Sequence, residues 1–475
     1  MILRSHQSRI TTKMQEFNKG RIFVPTGGGK TLCMIVDAIR ALKSGPKTIV
    51  VVSPRILLAN QLCSEFMEQI SRTWVHVCHV HSGETEYFST TKSDKIAMFN
   101  NVARAASESC IIFTTYNSLN KVVSAGIDID IMYCDEAHNS TRRDFFKSVA
   151  SASMIARRSY YFTATPRNNR DPHANGMNNT FVYGDVIERV PAQELIESGS
   201  IIPPTIHTHE TDIVRQKDTA AQVDSETVLS ILDTLDETNA SKVLVAAPST
   251  RVMWNMLTQS DVIQQLTDRG FEILHITSKH GAYVNKTKVS REVFFDTLTR
   301  YGKDDNKKFL LFHYSILSEG INVPGLTHCI LLRNLPLIEM AQTIGRVIRL
   351  HIDDIKDIQS GKIPAGQCQL YRKSTGFVMA LPELVELGAR VCIAVPTNQF
   401  NSGTTGQSTN IEYRDVLLRF EVVPLINSDD EVTLRISLIN DTVGEDQTIG
   451  DLTVPTIGTE TITTTVTVKN NTTVV

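Results

Sequence analysis

Several things are scarce in this chain of 475 residues, and each scarcity excludes something. Its eight cysteines stand at 33, 63, 78, 110, 134, 329, 368 and 392. No two have Cys-x-x-Cys spacing, so neither a zinc site nor a disulfide framework is expected, and a reducing compartment fits best. The first residues, Met1-Ile2-Leu3-Arg4-Ser5-His6-Gln7, lack the basic-then-apolar pattern of a signal peptide. No apolar run reaches 18 residues, so no membrane helix is expected. Net charge is only -3, so no global excess of basic residues points to nucleic acid, although a groove can still be locally basic. Hydrophobic residues make up 41% and charged residues 21%, an ordinary soluble composition with length for two or three domains.

What is present begins at Val24-Pro25-Thr26-Gly27-Gly28-Gly29-Lys30-Thr31. A short apolar run, Ile22 to Val24, precedes it, and Leu32 to Arg40 continues as a helix would. Strand, glycine-rich loop and helix in that order make a phosphate cradle. Glycines let backbone N–H groups turn inward, and the following helix adds its positive end. Position 24 is Val where the usual pattern has Gly, but Thr-Gly-x-Gly-Lys-Thr is intact. Gly27, Gly28, Gly29 and Lys30 are read as the ATP-binding set, with Thr31 as a Mg²⁺ ligand.

Apolar strands are expected at 48–53, 75–80, 111–116, 129–134 and 159–162, and helices at 56–70 and 92–106. The alternation predicts a doubly wound α/β domain. Asp135-Glu136-Ala137-His138 follows the fourth of these strands. An isolated Asp-Glu pair at a strand end is most often solvated. A phosphate loop upstream changes that reading: Asp135 becomes a second Mg²⁺ ligand and Glu136 the group that orients or deprotonates water. A helix over 186–198 and a linker at 201–204 are expected to lead into a second α/β series. That series has strands at 242–247, 271–276, 309–312 and 327–332, and helices near 250–260 and 288–300. Residues 207–226 are polar and carry no clear pattern.

Motif by motif, the chain resembles the superfamily 2 helicases and translocases. Thr26 to Thr31 is similar to motif I and Asp135 to His138 to motif II in its DEAH form. Thr163-Ala164-Thr165 resembles motif III. Ser53-Pro54-Arg55, Ser82-Gly83 and Thr114-Thr115-Tyr116 resemble the segments that touch the sugar-phosphate backbone. Ser318 to Pro324 resembles motif V, with Asn322 where the family usually has Asp, and Gln342 to Arg349 resembles motif VI. Leu3-Arg4-Ser5-His6-Gln7 resembles the opening of phage UvsW-type helicases and restriction-enzyme motors, in which the Gln reads adenine.

The resemblance implies two tandem RecA-like P-loop NTPase domains with parallel sheets, over 1–190 and 191–380. It implies an ATP- and Mg²⁺-dependent DNA helicase or translocase, cytoplasmic in a bacterial or phage-infected cell. An RNA helicase and a restriction-system motor subunit are the alternatives within this class. By the same resemblance Glu136, Asp135, Arg349, Arg346 and Gln342 are catalytic, with Arg349 as the main arginine finger, and Gln7 joins the nucleotide site. Pro54, Arg55, Ser82, Gly83, Thr114 and Thr115 contact nucleic acid. His138, Thr163, Thr165, Gly320 and Asn322 couple the two events. Lys362, Arg372 and Lys373 are further candidates to line a groove. DNA is the expected partner, with RNA possible, and no membrane partner is expected for 1–380.

The last 75 residues differ in kind. They hold 11 acidic and 4 basic side chains and 16 threonines, and they alternate at 411–425, 431–438 and 459–469 around a turn at 428–430. A small antiparallel β segment is predicted. Ser408 to Val416, Thr453 to Ile457 and Thr463 to Val468 resemble the pore-forming domain of bacterial secretins. That family implies self-association in an outer membrane, and a secretin-like structural subunit is the competing reading of another class. The two resemblances differ in compartment and in job, so a gene fusion, a misassembled sequence or a truncated reading frame is expected, and a threonine-rich β accessory domain unrelated to secretins is the alternative. A junction is placed at 381–400 and the secretin-like fragment at 401–475.

Overall fold

The computed structural model describes residues 3–70, 75–209, 216, 218–235, 242–277, 279–314, 323, 325–333, 335, 337–380, 387–397, 408–426, 431–449 and 452–469, with backbone pairing alone given for 387 onward. The chain divides into two compact units, one essentially Met1–Leu381 and the other formed by the tail.

The first sheet takes its strands in chain order as β1 (Lys19–Phe23), β2 (Thr48–Ser53), β3 (Val75–Val80), β4 (Phe88–Ser89), β5 (Ser109–Thr115), β6 (Ile129–Cys134), β7 (Ala156–Thr163) and β8 (Asp185–Arg189). Their spatial order is β4-β3-β5-β2-β6-β7-β1-β8, and every pairing is parallel. The intervening helices are α1 (Ser5–Glu16), α2 (Lys30–Lys43), α3 (Ile56–Gln69), α4 (Ser93–Ala105), α5 (Leu119–Ser124), α6 (Arg143–Ile155), α7 (Thr180–Tyr183) and α8 (Ala192–Glu197). β2 reads Thr-Ile-Val-Val-Val-Ser and is buried at all six positions, because helices cover both faces of a parallel sheet. Ile49 and Val51 enter one apolar cluster with α2 and α3, while Val50 and Val52 enter the other with α4 and α6.

A buried carboxylate locks α2, the helix behind the glycine loop, to this sheet. Asp37 accepts from Tyr133 Oη at 2.6 Å and from Arg158 Nη2 at 2.8 Å. Removing one partner of such a pair leaves an uncompensated buried charge and costs about 3–5 kcal/mol.

The second series contains β9 (Pro204–Thr208), α9 (Ala220–Thr234), β10 (Lys242–Ala246), α10 (Thr250–Gln259), α11 (Val262–Asp268), β11 (Glu272–Thr277), β12 (Gly281–Val284), β13 (Thr287–Val289), α12 (Arg291–Lys303), β14 (Phe309–His313), β15 (His328–Leu331), α13 (Leu337–Val347), α14 (Ile352–Gln359) and β16 (Gly376–Ala380). The order is β13-β12-β11-β14-β10-β15-β16-β9, parallel from β11 to β9 and antiparallel at β11–β12 and β12–β13. Together the two sheets are RecA-like domains in tandem. In the tail, β17 (Leu387–Thr397), β18 (Ser408–Ile426), β19 (Glu431–Ile449) and β20 (Leu452–Lys469) pair antiparallel in that order. The turn expected at 428–430 lies outside the described residues.

Two expectations need correction. The helix over 186–198 is instead β8 followed by α8. Pro191 caps the start of α8, and its fixed φ and missing N–H separate strand from helix. The polar stretch 207–226 contains the start of α9. Residues 376–380, next to the expected junction, form β16, an interior strand.

Candidate functional site

Three neighbouring strands of the first sheet, β6, β7 and β1, release their C-terminal ends at one place. That edge is where open α/β sheets bind ligands. The glycine loop follows β1, Asp135-Glu136 follows β6, and Thr163-Ala164-Thr165 ends β7.

The loop is held open by left-handed glycines, Gly27 at φ 89° and Gly29 at φ 78°, with Gly29 capping α2. Its outer side is packed by residues remote in sequence. His6 Nε2 lies 2.8 Å from the Gly28 carbonyl, and Gln7 Nε2 donates to the same oxygen at 3.3 Å. Gln7 Oε1 accepts from the Arg4 N–H at 3.0 Å. These bonds take one of the two amide hydrogens of Gln7 and one carbonyl lone pair. A Cβ on Gly27 would stand 2.8 Å from Ile201 Cγ2, and one on Gly29 would stand 2.4 Å from Gln7 Nε2.

Lys30 Nζ lies 3.8 Å from Glu136 Oε1, both largely buried. Glu136 adopts φ 45°, ψ 51°, a left-handed conformation unusual for a side chain of its size. The Asp135 backbone is tied by its N–H to Val52 O at 2.8 Å and by its carbonyl to Tyr116 Oη at 2.8 Å. Its Oδ1 is buried and has no hydrogen-bond partner among the described residues. Burial, then the Glu136 carboxylate beside it, pushes the Asp135 carboxyl up to about 7 against the pull of Lys30. An orphaned buried carboxylate oxygen next to a second carboxylate fits a divalent cation, and Thr31 and Asp135 are the residues that would hold it.

His138 links three segments. Its Nδ1 lies 2.9 Å from Thr163 Oγ1 and 3.5 Å from Glu136 Oε2. Its Nε2 faces the amide nitrogens of Asn139 at 3.0 Å and of Gln342, from α13 in the second domain, at 3.4 Å. Those amide donors assign the proton to Nδ1, where the Thr163 hydroxyl accepts it. The same hydroxyl accepts from the Thr165 N–H at 3.1 Å.

The second domain completes the cleft, whose volume is about 850 Å³ and whose lining includes Thr26, Lys30, Thr31, Asp135, Glu136, Gln342, Arg346 and Arg349. α13 approaches the glycine loop closely: a Cβ on Gly345 would meet Thr26 Cβ at 2.7 Å. Burial, then the charge of Arg349, lowers the Arg346 guanidinium to about 9, and burial lowers Arg349 as well. Two desolvated guanidiniums side by side form a place where added negative charge is favoured. The backbone at Arg349 is held from both sides. Ile201 bridges to it, Ile202 N–H donates to Ile348 O at 2.9 Å, and Lys373 Nζ donates to Arg349 O at 2.8 Å and Leu326 O at 2.5 Å.

The six residues expected at a nucleic-acid surface fall together at the ends of β2, β3 and β5. Tyr116 N–H donates to Ser53 O at 3.0 Å, and a Cβ on Gly83 would meet Ile56 Cγ2 at 2.6 Å. Ser82 is exposed, and Pro54, Arg55 and Gly83 are partly so. Thr114 and Thr115 are buried, and the Thr114 hydroxyl is engaged by Val80 O at 3.0 Å. Gly320 and Asn322 lie outside the described residues. Lys373 is held against backbone carbonyls, whereas Arg372 and Lys362 stay exposed, with Asp353 at 2.8 Å and Asp357 at 3.1 Å beside them. Sequence reading missed the contacts made by His6, Ile201 and Gly345, and the backbone-holding contact of Lys373. Each acts through a tertiary contact, and of these His6 and Gly345 lie inside a recognised motif.

Comparison with known proteins agrees with this geometry. Residues 1–168 match the type III restriction enzyme res subunit family, and residues 226–351 match the helicase conserved C-terminal domain. Residues 384–475 match the bacterial type II and III secretion system protein family, starting earlier than the expected residue 401. No curated protein matches the chain in sequence. Among solved structures, the ATP-dependent Type ISP restriction-modification enzyme LlaBIII, bound to DNA, is similar with a TM-score of 0.59 at 16% identity, over 80% of this chain and 27% of its own. A nuclease-deletion mutant of the Type ISP enzyme LlaGI, in complex with a DNA substrate mimic, gives 0.52 at 16% identity, over 79% and 27%. A fragment assigned as an HsdR subunit of a type I restriction enzyme from Vibrio vulnificus YJ016 gives 0.52 at 14% identity, over 80% and 64%. At these identities the likeness is one of fold, and the chain spans about a quarter of the first two proteins. No helix among the described residues is long and apolar enough to cross a membrane. In sequence, residues 1–168 and 226–351 are similar to the two domains of superfamily 2 helicases and restriction-enzyme motors, a likeness the fold shares, and residues 384–475 are similar to secretins.

Proposed function

We propose that this chain is an ATP-dependent DNA translocase or helicase. One observation carries the reading: Lys30, Glu136 and His138 of one domain and Gln342, Arg346 and Arg349 of the other meet at a single cleft. Residues 1–190 and 191–380 are taken as the two motor domains, since the strands of the first sheet end at Arg189 and those of the second run from Pro204 to Ala380.

In this reading the glycine loop binds the ATP phosphates through backbone N–H groups, with Lys30 opposite their charge. Gln7 offers its remaining donor and acceptor to the adenine. Thr31 and Asp135 hold Mg²⁺, which when bound screens phosphate charge and polarises the bond to be cut. Glu136 orients the attacking water and accepts its proton. Arg346 and Arg349 stabilise the negative charge that develops as the γ-phosphoryl group leaves. His138 passes the state of the Glu136 site to α13 through Gln342 and to the end of β7 through Thr163. Pro54, Arg55, Ser82 and Gly83 contact the sugar-phosphate backbone, an interaction weakly sequence-specific and salt-sensitive. The DNA-bound restriction enzymes of similar fold favour DNA over RNA, and a cytoplasmic setting goes with that partner. The tail has no part in this cycle.

Steady-state ATP turnover, measured without nucleic acid and with single-stranded DNA, forked DNA or RNA, tests the proposal. DNA-stimulated turnover that vanishes in Lys30→Ala is expected. Glu136→Gln should bind nucleotide and fail to turn it over. Stimulation by RNA alone would replace the DNA reading with an RNA helicase, and absence of turnover under every condition would refute the motor.

A further inference from the structure

The second sheet ends, on the side away from β9, in the β12–β13 hairpin. Four aromatic rings gather at its base. Trp254 of α10 stacks on His280 with centroids 4.0 Å apart and planes 9° from parallel. His275 of β11 stacks on Tyr283 of β12 at 4.7 Å and 9°. Trp254 meets Tyr283 and His275 edge-on, at 5.7 and 6.0 Å. His275 is buried, whereas Trp254, His280 and Tyr283 remain partly exposed.

Cations flank the rings along the chain. Residues 279–291 contain Lys279, Lys286, Lys288 and Arg291 and no acidic residue. All four are exposed. Lys288 pairs opposite Tyr283 in the hairpin and so shares its face. Arg251, also exposed, precedes Trp254 by three residues on α10 and shares its side of the helix. The cluster hangs from the C-terminal end of β11 and the N-terminal end of α10, the sheet edge at which ligands bind. A ring stack that served only as a lid on the core would need no basic border. Rings left half open and bordered by lysines match the chemistry of an unpaired strand, whose bases present π faces and whose phosphates present charge.

We propose that this hairpin is a single-strand nucleic-acid platform. A base stacks on the Trp254–His280 pair, and Lys279, Lys288 and Arg251 hold the adjoining phosphates. Bases inside a duplex are already stacked, so the platform selects single strands. The inference rests on the reading of the chain as a nucleic-acid motor and adds a site for the strand in its second domain.

The chain has two tryptophans, so in the full-length Trp74→Phe protein Trp254 is the sole emitter. Titration with single-stranded oligo(dT) should quench that emission in step with binding followed independently by anisotropy of a labelled oligonucleotide. A blunt duplex should quench it far less. Trp254→Ala should weaken oligo(dT) binding roughly 5- to 150-fold, corresponding to about 1–3 kcal/mol per stacked base. Trp254→Phe should restore most of the affinity, and basal ATP turnover should be unchanged in both variants. If Trp254→Ala fails to fold, the quenching titration alone decides. Binding and DNA-stimulated turnover without quenching would overturn the platform and leave the motor standing. No binding and no stimulation in the parent protein would overturn both.

Discussion

Gly345 offers a sharp probe of how the two domains share the cleft. An alanine Cβ there would lie 2.7 Å from Thr26 Cβ and 3.0 Å from both Thr26 Cγ2 and Oγ1, whereas ordinary contacts begin near 3.4 Å. The gap must therefore open by about 0.7 Å, the difference between 2.7 and 3.4 Å. Either the glycine loop yields or α13 retreats, carrying Arg346 and Arg349 with it. Misplacing a reacting group by about 1 Å costs on the order of 100-fold in rate. Gly345→Ala should thus lower kcat about 10- to 100-fold, or about 1.4–2.7 kcal/mol in barrier. KM for ATP should change little, since Lys30 and the loop glycines are intact. Alanine is favoured over glycine by about 1 kcal/mol inside a helix, so the melting temperature should hold or rise. Adding Thr26→Gly removes all three clashing atoms and should recover most of the rate. Steady-state turnover and a thermal melt check these outcomes together. A normally melting Gly345→Ala protein with kcat within twofold of the parent would refute the shared-cleft reasoning. So would a double variant as slow as the single one.

Lys373 makes a pH prediction. Burial, then the charge of Arg349, pushes its ammonium down to about 7 from 10.5. Between those values the unfolded chain binds more protons than the native one, so this group adds stability as pH rises from about 7 toward 10.5. The difference in urea-unfolding free energy between parent and Lys373→Met should grow across that window, by at most about 1.4 kcal/mol per pH unit. A difference that stays flat would count against it. A chain stopped after Thr375 loses β16, which pairs with both β15 and β9, and should aggregate or lose its cooperative melt. One stopped after Ala380 should keep its fold and turnover, and equal melts for the two would contradict the strand order.

Much of the motor was legible because its chemistry sits in short contiguous runs at strand ends. The glycine loop, Asp135-Glu136 and Thr163-Ala164-Thr165 each follow an uninterrupted apolar strand, and the structure brings all three to neighbouring positions. What stayed hidden depends on partners far away in the chain. Nothing near Ile201 announces that it packs on Gly27 and bridges to Arg349, and nothing near Lys373 shows that its ammonium is consumed by carbonyls. Short elements failed for another reason. Five residues of β16, and the turn of the β12–β13 hairpin at Asn285, whose φ is 54°, offer too few positions for a period to show. The misread helix at 186–198 had its signal in plain view at Pro191.

The pairing of β9 with β16 sets an order of events during synthesis. β9 has β16 as its one neighbour in the sheet, and the two are separated by nearly the whole second domain. Every strand of the first sheet, in contrast, is made by residue 189. A nascent chain can therefore complete its phosphate cradle early. It exposes a bare strand edge at β9 until the last motor strand emerges, the kind of edge that recruits other chains. Until Arg346 and Arg349 are both made and docked, the growing protein holds the glycine loop without the guanidiniums that line the finished cleft.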